Sequence, residues 1–251
     1  RERVTGFIAE HSSLNIRYCF EHKQGLSHAR NRGISEATGD IIAFIDDDER
    51  IVPEFIKAYI KLFDEYPEAM AAGGKIVAEY PTGRPRWMSH YTERPIANPM
   101  DFGDYIAPFP KGRIPGGGNM ALRREVFNTV GLFNTSLGRT GKRLIGGEES
   151  DLFERIASIG MKCYYAPRAV MYHIIPQEKL TEEYFERLCY NTGVSQLTRA
   201  QIHNHTTRLY IGEVVKWCAT LLLCLFHRPI QSRYLIKMRR NITRGIFSHN
   251  G

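Results

Sequence analysis

The segment IIAFIDDD, residues 41–48, determines the fold class of this 251-residue chain. Its five consecutive apolar residues predict a strand that is buried on both faces, as in sheets that helices cover on either side. Three aspartates follow directly at the carboxyl end of this strand, which is where open α/β sheets bind ligands. The segment therefore predicts an α/β protein with a polar site at the edge of its sheet.

The sequence on either side of this segment alternates between helical and strand patterns. Upstream, Ser27 can cap a helix that runs through Ala37. Downstream, Pro53 fits the first turn of a helix with apolar residues at helical spacing, namely Phe55, Ile56, Tyr59, Ile60 and Phe63. Short strands are predicted at 75–79, 163–165 and 169–174, and the long segment 81–113 has no clear periodicity. Alternation of this kind predicts a sheet with helices packed on its faces.

The aspartate triplet has two interpretations. Adjacent carboxylates repel one another, and a divalent cation such as Mg²⁺ or Mn²⁺ relieves that repulsion while binding substrate phosphates. The alternative is an acidic turn that caps the next helix, since acidic residues favour helix N-termini. The triplet by itself favours the cap, whereas the position of Asp46, Asp47 and Asp48 after an apolar strand counts towards a metal site.

Two further segments could contribute to a site. Residues 25–33, GLSHARNRG, put basic side chains and amide donors at a helix start, which can hold an anion or simply face solvent. Residues 148–151, EESD, follow Gly146 and Gly147, so that the backbone could approach a ligand closely. The alternative for this second acidic cluster is ordinary negative charge at a helix N-terminus.

The net charge of +7 belongs to the C-terminal part of the chain. From Val214 onward the only charged residues are seven basic ones, and subtracting them from 34 leaves 27 basic residues against 27 acidic ones. Five scattered cysteines without a CxxC pair predict reduced thiols in a cytoplasmic protein. An acidic partner is therefore expected for the tail and not for the whole molecule.

Residues 209–226 are largely apolar but include Glu213 and Lys216, which leaves too short an uncharged run for a span of about 20 residues. We expect a membrane-surface helix, with the basic residues of 233–244 attracted to anionic lipid on the inner face of the cell membrane. The alternative is a basic helix that packs on the main domain. Nucleic acid is not expected as a partner, because the tail has few interleaved aromatic residues.

The order of these features over residues 16–196 resembles the family 2 glycosyltransferases, whose nucleotide-binding fold is called GT-A. The resemblance is carried by GLSHARNRGI (25–34), IIAFIDDDERIVPEF (41–55), PGGGNMALRREVFNTVGLFN (115–134), GGEESDL (146–152) and MYHIIPQEKLTEEYFERLCYNTG (171–193). It implies a GT-A-like mixed sheet flanked by helices over residues 1–205, followed by a basic, partly apolar helical tail over residues 206–251.

The resemblance also implies roles for individual residues. Glu149 matches the family's catalytic base, where an aspartate is usual, and this difference keeps Glu148 as an alternative. Asp48 would bind Mn²⁺ or Mg²⁺, and His173 would contact the metal or the diphosphate. The implied donor-binding residues are Arg30, Asn31, Asp46 and Asp47, the last without an individual role. The implied acceptor-side residues are Gly117, Gly118, Asn119 and Asp151.

The function implied is an inverting, metal-dependent transfer of a sugar from a nucleotide-diphosphate sugar to a hydroxyl acceptor. The acceptor would be a sugar or lipid-linked sugar used for surface polysaccharide or glycolipid. Family members begin with a strand that holds the nucleotide base and a second strand that ends in an Asp-rich turn, and neither precedes Arg1. We therefore expect an N-terminally incomplete domain, and the alternative function is a non-catalytic remnant that serves as a binding or scaffold module.

Overall fold

A six-stranded mixed sheet crosses the part of the chain described by the computed structural model, residues 2–141 and 144–248. Its strands are β1 (Ile41–Phe44), β2 (Glu49–Ile51), β3 (Ala69–Glu79), β4 (Ala107–Pro108), β5 (Met120–Arg123) and β6 (Lys162–Ile174). The order is β1-β5-β3-β6-β2, and β4 pairs with β6. Among the described strands only β3 and β6 pair in parallel, so the sheet is mixed as predicted.

Helices cover both faces of this sheet. The described helices are α1 (Glu2–Glu10), α2 (Leu26–Glu36), α3 (Phe55–Glu65), α4 (His90–Ala97), α5 (Arg124–Val130), α6 (Glu148–Ser158), α7 (Glu182–Ile202), α8 (Thr206–Cys224) and α9 (Pro229–Ile246), with a 3₁₀ helix at Gln177–Leu180. One apolar core lies between α3 and strands β3 and β6, and a second packs α2, α5 and α6 against β1 and β5. A third core joins α4, α7 and α9. The α/β class with a C-terminal helical region is thus confirmed.

The expectation of full burial is wrong for β1. Only Ile42 in this strand is buried, and Ile45 lies beyond its end with 44% of its surface exposed. The reason is the position of β1 at the end of the sheet, where its ladder partner in the described residues is β5. An end strand meets neighbours on one side, so an apolar run alone overestimates its burial.

The two central strands are longer than predicted. β3 begins at Ala69 and passes through Gly73 and Gly74, where a Cβ on Gly74 would lie 2.0 Å from the Ala169 carbonyl oxygen. β6 is one strand and not two, because its pairing with β3 continues past Pro167 after a register shift. Glycine and proline therefore mark a close approach and a bulge, although in sequence they signal strand ends.

The helices also differ from the predictions in detail. Ser27 does not cap α2, since its hydroxyl donates to the Leu137 carbonyl at 2.6 Å and Gly25 is the N-cap. Within α3, Ile56 and Ile60 are each 47% exposed, because the buried stripe passes through Leu62 instead. Residues 81–113 contain α4 and β4, so this segment is partly regular.

The C-terminal helices pack on the rest of the fold. A Cβ on Gly193 would lie 2.0 Å from the Ile242 carbonyl oxygen, so α7 and α9 approach each other closely. Trp87 stacks on Tyr234 of α9 with ring centroids 4.3 Å apart. Lys237 pairs with Glu182 and Glu186 of α7, and Arg239 pairs with Glu213 of α8, so acids of the fold compensate two of the basic residues that were expected to face anionic lipid. None of the described helices is long and apolar enough to cross a bilayer.

Candidate active site

A cleft of about 260 Å³ lies at one edge of the sheet. The turn between β1 and β2, the end of β6, the glycine segment before β5 and the start of α6 all face it. The predicted site residues that line it are Arg30, Asp46, Asp48, Gly117, Gly118, Glu148, Glu149 and His173. Segments up to 143 positions apart in sequence, from Arg30 to His173, are thus brought into one cavity.

Arg30 is the buried centre of this cleft. Its Nη1 donates to Oε1 of Glu148 at 3.1 Å and to Oε1 of Glu149 at 2.9 Å. Its Nη2 lies 3.6 Å from Oδ1 of Asp46 and, like Nε, has no hydrogen-bond partner among the described residues. A buried guanidinium requires compensating charge, and the carboxylates of Glu149 and Asp46 supply it. Arg30 therefore links the two acidic clusters that the sequence shows separately.

The neighbouring carboxyls Glu148 and Glu149 differ in protonation. Burial, followed by the charge of Glu149, raises the pKa of Glu148 from 4.5 to about 8. Burial also acts to raise the pKa of Glu149, but the Arg30 guanidinium outweighs it and holds that pKa below its ordinary value. Like charges in close contact favour one ionised and one neutral member. At neutral pH, Glu149 is thus the carboxylate that can accept a proton, and Glu148 is a neutral acid.

The opposite side of the cleft contains Asp48 and His173. Nδ1 of His173 lies within hydrogen-bond distance of the Ala97 carbonyl, at 3.1 Å, and Nε2 lies 3.5 Å from Oδ2 of Asp48. His173, and then the Lys179 ammonium, hold the pKa of the Asp48 carboxyl well below its ordinary value. This end of the cleft therefore has an ionised carboxylate beside an oriented imidazole nitrogen.

This donor set fits a divalent cation. An ionised oxygen and an imidazole nitrogen whose other nitrogen is hydrogen-bonded are suitable ligands for Mn²⁺ and acceptable ones for Mg²⁺. Among residues 2–141 and 144–248, no group of three or more acidic, histidine or cysteine side chains forms a complete metal site. Asp48 and His173 would hold the ion, and phosphate oxygens and water would complete its coordination.

Glu49 and Lys179 belong to the site but were not predicted from the sequence. Glu49 accepts a hydrogen bond from the Asp46 amide at 2.8 Å, and burial raises its pKa to about 7. Lys179 pairs with Asp48 from the 3₁₀ helix. Glu49 directly follows the aspartate triplet, which is a signal that could have found it. Lys179 has no such signal, because only the folded chain brings it to Asp48.

Gly117 and Gly118 leave space for the charged side chains. A Cβ on Gly117 would lie 2.1 Å from Oε1 of Glu149, and one on Gly118 would lie 1.9 Å from Oε1 of Glu49. Both glycines line the cleft. The absence of a side chain at these two glycines therefore lets Glu149 and Glu49 pack against the backbone.

Asn119 does not reach the cleft. Its side chain is fully buried, accepts from the Tyr59 hydroxyl at 2.6 Å and donates to the carbonyls of Lys75 and Ala169 at 2.9 and 3.0 Å. These bonds fix the register of the central strands. The expected acceptor-side role is thus replaced by a structural one, because every hydrogen-bonding atom of the amide group is used inside the core.

Three other predicted residues lie outside the cleft lining. Asn31 bonds the backbone of Phe133 in both directions at 2.9 Å and so joins α2 to the loop after α5. Asp151 is buried and bonds Arg155 at 2.8 Å and His203 at 3.0 Å. Asp47 is exposed in the turn. The structure therefore gives Asn31 and Asp151 contacts that stabilise the walls around the cleft.

The comparison with family models identifies the chain. The model described as Glycosyl transferase family 2 matches residues 3–131. The chain belongs to glycosyl transferase family 2. Within this family 2 domain, the matched region contains Arg30, the aspartate triplet and both cleft glycines.

This family 2 chain is similar to two curated proteins of glycolipid and polysaccharide biosynthesis. The glucosyl-dolichyl phosphate glucuronosyltransferase of Haloferax volcanii is 28% identical over 63% of this chain and 50% of the relative. The succinoglycan biosynthesis protein ExoM of Rhizobium meliloti is 27% identical over 72% of this chain and 54% of the relative. The chain spans about half the length of these curated relatives.

Solved structures share the GT-A fold. The mannosyltransferase PcManGT of Pyrobaculum calidifontis, solved with GDP-Man and Mn²⁺, aligns with a TM-score of 0.57 at 15% identity over 96% of this chain and 73% of that one. GalNAc-T7, solved with UDP, GalNAc and Mn²⁺, aligns with a TM-score of 0.52 at 17% identity over 77% of this chain and 39% of that one. The mixed sheet of the family 2 chain is therefore a GT-A sheet.

Proposed function

We propose that this family 2 domain transfers a sugar, with inversion, from a nucleotide-diphosphate sugar to a hydroxyl of a glycolipid or polysaccharide precursor. The observation that carries the proposal is the division of one cleft into two parts. Glu149, ionised and in contact with Arg30, lies on one side, and Asp48 with His173 lies on the other. A displacement reaction needs a proton acceptor and a stabilised leaving group at opposite ends of one cavity.

Glu149 is the proposed general base. Its side chain is 21% exposed, whereas that of Glu148 is 2% exposed, so Glu149 is the one that an acceptor hydroxyl can reach. As the acceptor oxygen bonds to the anomeric carbon, its proton passes to Glu149. The bond from that carbon to the diphosphate oxygen breaks, and its electron pair leaves with the nucleoside diphosphate. One displacement inverts the configuration.

The remaining residues stabilise the leaving group and the base. Asp48 and His173 would hold Mn²⁺ or Mg²⁺, which supplies positive charge to the departing diphosphate. Arg30 keeps Glu149 oriented and ionised, and its Nη2 is near enough to Asp46 to order the turn beside the donor. Glu148, as a neutral acid, adds no second negative charge beside the base.

A thermal-shift series with nucleoside diphosphates tests the donor part of the proposal. We expect UDP or GDP to raise the melting temperature in the presence of Mn²⁺ and to have little effect without it, because a cation held by Asp48 would supply the positive charge that the phosphates need. Asp48→Asn should abolish the shift, whereas Asp64→Asn, on the outer part of α3, should retain it. A stabilisation that does not depend on Mn²⁺ would contradict the metal role.

Sugar transfer and donor binding in Glu149→Gln test the base. The isosteric amide cannot accept the proton, so the rate of transfer should fall by about 10²- to 10⁴-fold, while the affinity for UDP or GDP with Mn²⁺ changes little. Glu154→Gln, further along α6, is the matched control. Nucleotide binding by the wild type without transfer to any glycan acceptor would instead support a binding or scaffold module.

The acceptor is proposed to be lipid-linked, with α8 on an anionic membrane surface. Large apolar side chains of α8 and the following turn are exposed at helical spacing, namely Ile211, Val214, Val215, Leu222, Leu225 and Phe226. Basic residues without an ion pair among the described residues accompany them, namely Arg208, Lys216, Arg228, Arg233 and Arg240. An exposed apolar stripe beside uncompensated positive charge is the pattern of an interfacial helix.

Vesicle co-sedimentation tests this surface. We expect binding to phosphatidylglycerol vesicles and weak binding to phosphatidylcholine vesicles, and the double variant Leu222→Glu with Phe226→Glu should lose the binding. Ile56→Glu replaces an apolar residue on α3 that is likewise exposed, at 47%, and should bind as the wild type does. Equal binding by the double variant and the wild type would contradict a role for α8.

A further inference from the structure

Lys179 contacts the carboxylate that is proposed to bind the divalent cation. Its Nζ pairs with Oδ2 of Asp48, and the same oxygen lies 3.5 Å from Nε2 of His173. The Lys179 side chain is 19% exposed, and Asp48 is the only acid with which it pairs among the described residues. One carboxylate oxygen thus faces both a candidate metal ligand and an ammonium group.

The backbone around Lys179 is fixed on the sheet. The Ile174 amide donates to the Asp48 carbonyl at 3.0 Å, and the amide of the buried Ile175 donates to the Glu79 carbonyl at 2.8 Å. The Lys179 amide then donates to the Pro176 carbonyl at 3.0 Å within the 3₁₀ turn. The ammonium is therefore delivered to the cleft from an anchored segment, and only its four-carbon side chain is free to rotate.

We propose that Lys179 is an exchangeable counter-cation of Asp48, which the divalent cation displaces and which then binds the diphosphate of the donor. This inference rests on the proposed metal role of Asp48. Two positive groups in contact with one carboxylate oxygen repel each other, so an ammonium and a divalent cation compete for it. The displaced ammonium remains within a side-chain length of Asp48, where donor phosphates would bridge to the cation.

This exchange has a physical advantage for the site. Lys179 keeps the Asp48 carboxylate paired and oriented, so the turn does not leave clustered acids uncompensated. The same side chain becomes available for phosphate only when the cation has arrived. Cation and diphosphate would therefore bind cooperatively, because each one favours the released position of Lys179.

Isothermal titration of the full chain with MnCl₂ tests the competition. Lys179→Met should bind Mn²⁺ about fivefold or more tightly than the wild type, because the competing charge is gone. Lys179→Arg keeps the charge and should remain near the wild type. Lys75→Met removes an exposed pair with Asp101 and should change nothing.

A second titration, with UDP and GDP at saturating Mn²⁺, tests whether the released Lys179 binds the diphosphate. Here Lys179→Met should lose about fivefold in affinity, whereas Lys179→Arg retains it. Unchanged Mn²⁺ affinity in Lys179→Met, together with lost Mn²⁺ binding in Asp48→Asn, would overturn the inference and leave the proposed metal site intact. An Asp48→Asn variant with the Mn²⁺ affinity of the wild type would overturn both the inference about Lys179 and the proposed metal site.

Discussion

The two acidic clusters of this chain look alike in sequence and differ in almost every physical respect. Residues 46–48 lie in a turn between two strands, where Asp47 is exposed and Asp48 faces Lys179 and His173. Residues 148–151 begin α6 and are largely buried, with Glu148 and Glu149 against Arg30. The first cluster keeps the Asp48 carboxylate ionised, whereas the second one keeps one carboxyl protonated beside an ionised neighbour.

The difference shows that local geometry, and not the density of acid, determines what an acidic cluster can do. A turn with solvent access favours the charged form, because water and nearby cations stabilise it. A helix start inside the protein desolvates its carboxyls, and a single guanidinium then decides which of them ionises. Arg30 contacts both clusters, so substitutions of Arg30 and of residues in each cluster can separate their properties.

Removing Arg30, which links the two clusters, should have the largest effect on stability. Arg30→Met leaves buried carboxylates without their cation, and we expect the free energy of unfolding to fall by about 3–5 kcal/mol at pH 7. Urea denaturation measures this change. Arg32→Met is the control, because Arg32 forms an exposed pair with Glu36 on the same helix and should cost less than about 1 kcal/mol. Equal costs for the two variants would show that the buried network is not stabilised by Arg30.

Neutralising Glu148 should reveal the protonated member of the second cluster. Because the folded state raises its pKa from 4.5 to about 8, the folded protein binds a proton that the unfolded chain has released. The stability of the wild type should therefore fall as the pH rises through this window, on the order of 3 kcal/mol relative to Glu148→Gln.

Denaturant unfolding at pH 5 and pH 8 measures that difference. The exposed variant Glu125→Gln should follow the wild type at both pH values. Parallel stability curves for the wild type and Glu148→Gln would mean that Glu148 titrates normally in the fold.

Adding a methyl group at Gly117 should displace Glu149, the proposed base, and should destabilise the fold less than the loss of Arg30 does. The Cβ of Gly117→Ala would lie 2.1 Å from Glu149 and 2.3 Å from Arg30, so one of these side chains has to move. We expect about 1–3 kcal/mol of destabilisation and at least about a tenfold loss of transfer rate. Gly33→Ala in α2 meets nothing within 4 Å and should stabilise the fold slightly. Wild-type transfer by Gly117→Ala would argue against Glu149 as the base.

Changes within the aspartate triplet should have the smallest effect on stability and should separate its members. Asp47 is exposed, so Asp47→Asn should alter the free energy of unfolding by no more than about 0.5 kcal/mol and leave Mn²⁺ affinity nearly unchanged. Asp48→Asn should lose Mn²⁺ binding by titration calorimetry. A larger loss of Mn²⁺ affinity in Asp47→Asn than in Asp48→Asn would invert the assignment.

The sequence predicted the fold class and much of the cleft, because both depend on local patterns. An apolar run followed by aspartates, glycines before polar residues and helix-start charges are features of short segments. Prediction from the sequence failed where contacts between distant segments override the local pattern. Asn119 has the position of an acceptor-side residue but bonds three groups inside the core. Pro167 reads as a strand break and lies within one continuous strand.

By itself, the sequence determined that residues 41–48 end a strand in acid, that a second acidic cluster starts a helix, and that the tail is basic. Only the tertiary structure decided that Arg30 joins the two clusters, that Glu148 and Glu149 ionise differently, and that Lys179 reaches Asp48 across 131 positions. The physical reason is that the spacing of residues is a property of the chain. Burial and charge pairing, which set the chemistry of a carboxylate, exist only after distant segments pack together.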